Sequence, residues 1–454
     1  MTKATTSVVV GQLACQKDSF CLDNFQTTVI SCKELKGTPT KYEVELQDTI
    51  LFPEGGGQPS DTGTITIVSS GDIIPVKYVY RVGLHANHMV SQYIEPGTKV
   101  DLTVDSEKRI DYMQQHTGQH LLSALLESQY ALNTLSWSMG GVPKEKNGIA
   151  IELEPSDYFN YIELSRKLTE EEIKNVTTLM RKYIVLDPQV ITVKERNPQE
   201  TVTDDASFSK IPEDYDMTNG VIRTIHIGNL DSNPCCGTHL NSTATIGGIL
   251  ISRNQTSVRG TNSRLYFMCG NRIAQYGEFA NDTLLKLKSS FSCGETQIME
   301  KVEQQKEQLQ KSNKRERFWI KELAILEAKK ILLNLKDIKG RTYLLKDEFG
   351  TLEYLLAIFK ELSSVLKEEQ NNYKEYLIVL CGRETQTKTG PLMIISESGE
   401  KINEVSTKLS SMIETLKGGG GKKGGKWQGK ISSFSNNDWD SLAHYLNTDY
   451  MEQH

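Results

Sequence analysis

The chain has 454 residues, a formal net charge of -6, 37% hydrophobic and 24% charged residues. This is globular composition with room for two or three cored domains; it excludes a disordered or fibrous chain and wrapping of nucleic acid by the whole surface, while leaving room for a local basic patch. Eight scattered cysteines exclude a dense disulfide scaffold, the N-terminal apolar run is too weak for a signal peptide, and no run of about 18 apolar residues would span a membrane. A cytoplasmic protein without a membrane partner is expected.

The fold class expected is α+β, multidomain. Residues 1–104 alternate like strands, with Tyr42, Val44 and Leu46 on one face, then Ile65 and Ile67, then Val76, Tyr78 and Tyr80. Turn signals separate the runs, which predicts a small β-barrel. Residues 105–275 read as one α+β domain: a proline-free helix from Arg109 to about Tyr130, and a second helix opened by a Thr169/Glu172 capping box. Strand-like runs surround them at Ile149 to Leu153, Val190 to Val193, Val221 to Ile227 and Leu265 to Met268.

Residues 276–335 read as a helical connector. A heptad seeded on Ile298 and Val302 continues through Leu309, Trp319, Leu323, Leu326 and Leu333, but Gln305, Ser312, Glu316 and Lys330 interrupt it. Oligomeric state stays open. Residues 336–454 alternate strand and helix, an α/β domain, and include a Gly/Lys-rich segment at 418–430 expected to be a loop.

Two spaced pairs carry the chemistry. His116 and His120 stand one helical turn apart on one face. Cys235 and His239 are also four apart, in a segment that Pro234 and Gly237 mark as a loop. Together they make a full tetrahedral Zn²⁺ set; the alternative is hydrogen-bonded core histidines beside an inert cysteine. A zincin protease needs Glu directly after the first His, where Thr117 stands. The deaminase signature fails because Cys235 and Cys236 are adjacent.

His116-Thr-Gly-Gln-His120-Leu-Leu and Asn233-Pro-Cys-Cys-Gly-Thr-His239 resemble the paired motifs of the alanyl-tRNA synthetase editing domain and its freestanding AlaX-type relatives. The segment from Leu51 to Gly63, with Gly55, Gly56 and Gly57, resembles the glycine-rich motif of the preceding β-barrel. The 418–430 segment resembles the synthetase's C-terminal RNA-binding domain. Activating and charging domains, which would precede this β-barrel in a synthetase, are not expected.

The resemblance therefore implies a long-form trans-editing factor, a zinc-dependent deacylase of mischarged tRNA(Ala). Ser-tRNA(Ala) would be its chief substrate and Gly-tRNA(Ala) a second candidate. Non-catalytic tRNA binding around structural zinc, or editing of another tRNA such as Ser-tRNA(Thr), are the alternatives. Gln119 and Ser136 depart from the synthetase pattern and, with Thr134, are the candidate partners of the substrate serine hydroxyl. Lys422, Lys423 and Lys426 are the expected phosphate contacts and Trp427 the base-stacking group. Four protein ligands would close the zinc site, so the sequence leaves open whether the ion is catalytic or orients substrate, and whether His239 stays bound.

Overall fold

The computed structural model describes residues 6–36, 41–146, 149–196, 221–337, 340–368, 373, 375–435 and 437–452. The chain divides into two units, Met1–Leu287 and Lys288–His454. Unit one opens with a short helix, α1 (Ala14–Lys17), and seven strands: β1 (Phe25–Leu35), β2 (Lys41–Leu46), β3 (Gly63–Ile67), β4 (Ile73–Val76), β5 (Tyr78–Val82), β6 (His85–Val90) and β7 (Lys99–Val104). Alternation sends Val44, Leu46, Ile65, Ile74, Val79, Val100 and Leu102 into a shared core.

These strands form one antiparallel sheet in the order β4-β3-β7-β1-β2-β6-β5. The first residues of β1 pair with β7 and the rest with β2, with a bulge between Val29 and Ser31 where the strand bends. The expected barrel does not close: among the described residues no ladder joins β4 to β5. One reason is Pro75. The Ile67 amide donates to the Asp72 carbonyl, so the alternating ladder makes Thr64–Pro75 a non-hydrogen-bonded pair and turns the proline nitrogen outward. An outer edge without that donor is poorly suited to another strand. The run from Val76 to Tyr80, expected to be one strand, splits at Lys77 into β4 and β5 on opposite edges.

His88, on β6, is wholly buried between the Val44 carbonyl, which accepts from Nδ1 at 3.0 Å, and the Thr49 hydroxyl, which donates to Nε2 at 2.9 Å. Burial lowers its imidazole to about 4. The unfolded chain takes up that proton near pH 6.5, so between these values it binds more protons than the folded one. Stability from this group is thus complete above pH 6.5 and declines by roughly 3 kcal/mol as pH falls to 4. Urea unfolding from pH 7 to 4 should show His88→Gln losing less stability than wild type; parallel curves would contradict this.

The rest of unit one contains α2 (Ser106–Tyr130), β8 (Ser136–Ser138), β9 (Lys144–Lys146), β10 (Ile149–Ile151), β11 (Asn160–Leu164), α3 (Glu170–Arg181), β12 (Ile191–Arg196), β13 (Ile222–Ile227), β14 (Asp231–Pro234), β15 (Ile249–Ser257), β16 (Ser263–Cys269) and α4 (Asn271–Phe291). Asp105 caps α2 by accepting from the Lys108 amide, and α2 stops at Ala131, which adopts left-handed φ. The Thr169/Glu172 capping box opens α3. Leu121, Leu122, Leu125 and Leu126 of α2 pack with Val176 and Met180 of α3 onto the inner face of a β15-β16-β11-β8 sheet. A second small sheet, β12-β13-β14, delivers the chain to Cys235. Arg109 of α2 is fully buried, forked on Asp61 and donating to the Ile50 and Ser19 carbonyls. This pins α2 to the 51–63 segment.

Unit two comprises α5 (Ile298–Asp337), β17 (Arg341–Lys346), α6 (Leu352–Glu368), β18 (Leu377–Gly382), β19 (Gly390–Ser396), α7 (Gly399–Met412), β20 (Leu416–Gly420), β21 (Gly425–Ile431), α8 (Asp438–Asn447) and α9 (Asp449–Glu452). Its sheet runs β17-β18-β19-β21-β20, parallel only at β17–β18, where α6 makes the crossover. Every residue of β18 is buried, as expected of a strand covered on both faces. On one side α5 buries Ala324, Ala328, Ile331 and Leu335 against α6. The heptad positions Val302, Leu309, Trp319, Leu323, Leu326 and Leu333 are exposed instead.

The 418–430 segment is a hairpin, not a loop, formed by β20 and β21. Gly420, Gly421, Gly424 and Gly425 take positive φ through its turn. Gly418 and Gly429 instead make room for a side chain, since a Cβ on either would stand 2.6 or 2.4 Å from the Trp427 indole. Trp427 lies across these two bare positions and is 7% exposed within the core. That burial removes its ring from the base-stacking role expected of it. Lys422 and Lys423 are exposed at the turn, while Lys426 bonds Gln428 at 3.0 Å and covers Phe359.

Candidate metal centre

The spaced pairs converge. The donor atoms of His116, His120, Cys235 and His239 all lie within 4.8 Å of one another, and the three histidines are buried. Cys235 Sγ is 3.4 Å from His116 Nε2 and 3.3 Å from His239 Nε2. A nitrogen and a sulfur sharing one tetrahedral zinc are separated by about 3.5 Å, so both the donor set and its spacing fit that ion.

Each ring is oriented by a partner. Gln58 sits between His116 and Thr238: its Oε1 accepts from His116 Nδ1 at 2.9 Å and from the Thr238 amide at 3.0 Å, while its Nε2 donates to Thr238 Oγ1 at 2.7 Å. The Thr238 amide can only donate, so the atom facing it is the carbonyl oxygen. The proton on His116 is therefore at Nδ1, leaving the Nε2 lone pair for a metal. His120 Nδ1 bonds Asp231 Oδ2 at 3.0 Å, and Asn233 holds the other Asp231 oxygen. His239 Nδ1 lies 3.4 Å from the Thr117 hydroxyl, which accepts from the Leu240 amide at 3.1 Å. Thr117, where a zincin protease would carry its general base, is a histidine support here.

The cysteine loop is shaped by Arg223, whose buried guanidinium donates to the carbonyls of Cys235, Gly237 and Gln16. Gly237 is obligatory: an added Cβ would meet His116 Cε1 at 2.3 Å and Gln58 Oε1 at 2.8 Å. Burial opposes ionisation of Cys235, yet the imidazoles of His116, His239 and His120 gathered around it hold its thiol well below the ordinary value. Burial, then His116, pushes His239 down to about 3, leaving it neutral. Burial also disfavours charge on His120, but the bonds to Asp231 and Cys235 outweigh it and raise the imidazole to about 10. Burial and the neighbouring Cys235 raise Cys236 to about 12, so it remains a thiol.

The glycine-rich segment lies over this centre. Gly55 and Gly56 approach Cys236 Sγ, and a Cβ on Gly57 would strike the Trp137 indole at 2.6 Å. That indole stacks on His116 with ring centroids 4.9 Å apart. Gln119 and Thr134 are joined through Ser123 in a polar chain, with bonds of 2.8 and 2.6 Å. Ser136 is placed elsewhere. Trp137 faces the centre, so its strand neighbour Ser136 faces away, exposed and bonded to Glu163. That orientation does not suit the substrate contact expected of it.

Gln58, Asp231, Trp137 and Arg223 were not among the expected site residues. Gln58 follows the three glycines directly and was the nearest to being visible; Asp231 and Arg223 carry no spacing signal. Among the described residues no helix is long and apolar enough to cross a membrane.

A three-histidine, one-cysteine cluster of this kind in an α+β unit could hold a metal ion. The family described as threonyl and alanyl tRNA synthetase second additional domain matches residues 222–266, which include Cys235 and His239. A Saccharomyces cerevisiae protein carrying the name alanyl-tRNA editing protein alaX is 55% identical over 99% of both chains. Alanyl-tRNA editing protein Aarsd1 of Rattus norvegicus is 31% identical over 93% of this chain and 94% of its own. AlaX-L of Pyrococcus horikoshii is 31% identical over 53% and 55%. The chain belongs to the alanyl-tRNA editing protein family.

Proposed function

We propose that the chain is a trans-editing hydrolase of mischarged tRNA(Ala), releasing serine chiefly and glycine as a second substrate, with Zn²⁺ held by His116, His120, Cys235 and His239. The observation that carries this reading is the four-donor centre with its histidine tautomers already set, in a chain whose relatives are named for alanyl-tRNA editing. A Zn²⁺ held by these four residues would supply positive charge to polarise an ester carbonyl or lower the pKa of a water. The chain's own residues do the rest. Gln58, Asp231 and Thr117 hold the rings, while Trp137 and Gly57 shield one side of His116 from solvent. The Gln119–Ser123–Thr134 chain offers a partner to the serine hydroxyl. Alanine would leave that partner unpaired, which is the favourable direction for discrimination.

The four-donor set also favours a second reading, zinc that is structural or orients substrate without a free position. Deacylation of Ser-tRNA(Ala), Gly-tRNA(Ala) and Ser-tRNA(Thr) by the full chain tests the function. Ser-tRNA(Ala) should be cleaved fastest and Ser-tRNA(Thr) spared; no hydrolysis of any of the three would leave a binding protein. The eight unpaired cysteines fit a reducing, cytoplasmic setting.

For tRNA capture we assign Lys422 and Lys423 to phosphates, with Lys426 secondary because it is already engaged. Lys422→Ala with Lys423→Ala is expected to weaken tRNA binding and flatten the log K against log salt slope by about 1–2. Identical slopes would remove the hairpin from the interface.

A further inference from the structure

The β15-β16-β11-β8 sheet has a second face. Leu265 and Phe267 of β16 and Ile162 and Leu164 of β11 are in the core, so Arg264, Tyr266, Tyr161 and Glu163 lie on the opposite side. The register sets Tyr161 opposite Tyr266 and Glu163 opposite Arg264. Arg264 nevertheless makes no ion pair with the carboxylate facing it. Its guanidinium lies over the Tyr161 ring at 4.2 Å, and its Nε has no hydrogen-bond partner. Glu163 is engaged by Ser136 at 3.2 Å and Asn262 at 2.9 Å. Tyr161 and Tyr266 meet edge to face at 6.2 Å.

Local charge agrees with this layout. In a chain of net charge -6, no Asp or Glu occurs between Asp231 and Glu278, whereas Arg253, Arg259, Arg264 and Arg272 do. Arg272 is bound to Asp111; Arg253 and Arg259 are exposed, on β15 and in the turn to β16. A stacked guanidinium and two half-buried aromatic rings on this face, with two exposed arginines along the β15 edge and its turn, match the phosphates and bases of an RNA strand. β8 is the edge of this sheet. Ser136 and Ser138 pair with Glu163 and Tyr161, while Trp137 between them turns to His116. A strand leaving this face passes over a single strand, β8, and round the sheet edge to reach the side on which Trp137 stacks on His116.

We propose that this outer face is an RNA platform that binds the acceptor end of tRNA and directs its 3′ terminus over β8 to the centre. The identity of the RNA rests on the editing reading above; the platform itself is tested without catalysis. Binding of a fluorescent, uncharged acceptor-arm RNA hairpin with a single-stranded 3′ end is measured by anisotropy for the full chain and its variants. Arg264→Gln should weaken binding about tenfold and reduce the salt slope by about 1, and Arg253→Gln with Arg259→Gln should reduce the slope further. Tyr161→Leu should weaken binding about five- to tenfold with little change of slope, and Tyr161→Phe should bind like wild type. Unchanged zinc content controls for folding. Wild-type affinity in Arg264→Gln and Tyr161→Leu, or no binding by wild type, overturns the platform. If binding behaves as stated but wild type deacylates no mischarged tRNA, the platform stands and the hydrolase reading falls. If wild type deacylates and the variants bind and turn over equally, the platform alone falls.

Discussion

Gly237→Ala is expected to lose zinc and, with it, deacylation, while Gly55→Ala retains both. The added methyl of Gly237→Ala would sit 2.3 Å from His116 Cε1 and 2.8 Å from Gln58 Oε1, so His116 must leave its position or the cysteine loop must shift. Overpacking of this kind costs about 1–3 kcal/mol, and here the strain falls on a ring that supplies a donor. At Gly55 a Cβ meets Cys236 Sγ at 3.4 Å, an ordinary contact. Zinc content per chain separates the two variants; a full complement in Gly237→Ala would show that the centre does not depend on this close approach.

Gln58→Leu is expected to lower zinc affinity by about 10–100-fold, the usual effect of removing the partner that orients a metal-binding histidine. The change strands the His116 Nδ1–H, the Thr238 amide and the Thr238 hydroxyl together, because one side chain serves all three. Gln58→Glu should restore most of the affinity, since a carboxylate still accepts from His116 and from the Thr238 amide, and the hydroxyl can rotate to donate. Competition with a chromophoric chelator measures the series. Equal affinities for Gln58→Leu and wild type would mean that His116 is held by its helix alone.

The two variants also mark what sequence could and could not reveal. The convergence of His116, His120, Cys235 and His239 was legible because each pair obeys a local spacing. The supports were not: Gln58 reaches His116 from 58 positions away, and Asp231 reaches His120 from 111. Strands were legible from alternation, but closure was not, because it depends on which way the Pro75 nitrogen points. Alternation also hid the break at Lys77. The glycines at 418–430 suggested a phosphate-binding loop, yet two of them make room for Trp427 and four allow the hairpin turn. Ser136 was close to the site in sequence, but the alternation of a strand turned it outward. For α5 the heptad was real as a pattern, but the helix buries a different stripe of small and aliphatic residues.

A metal held by four named residues and required for ester hydrolysis is the central claim. Zinc content and Ser-tRNA(Ala) deacylation measured on the same preparations of wild type and Cys235→Ala test it most directly. One zinc per chain with rapid deacylation in wild type, and loss of both in a folded Cys235→Ala, is the predicted result. A folded Cys235→Ala that lacks zinc and still deacylates at the wild-type rate would contradict it.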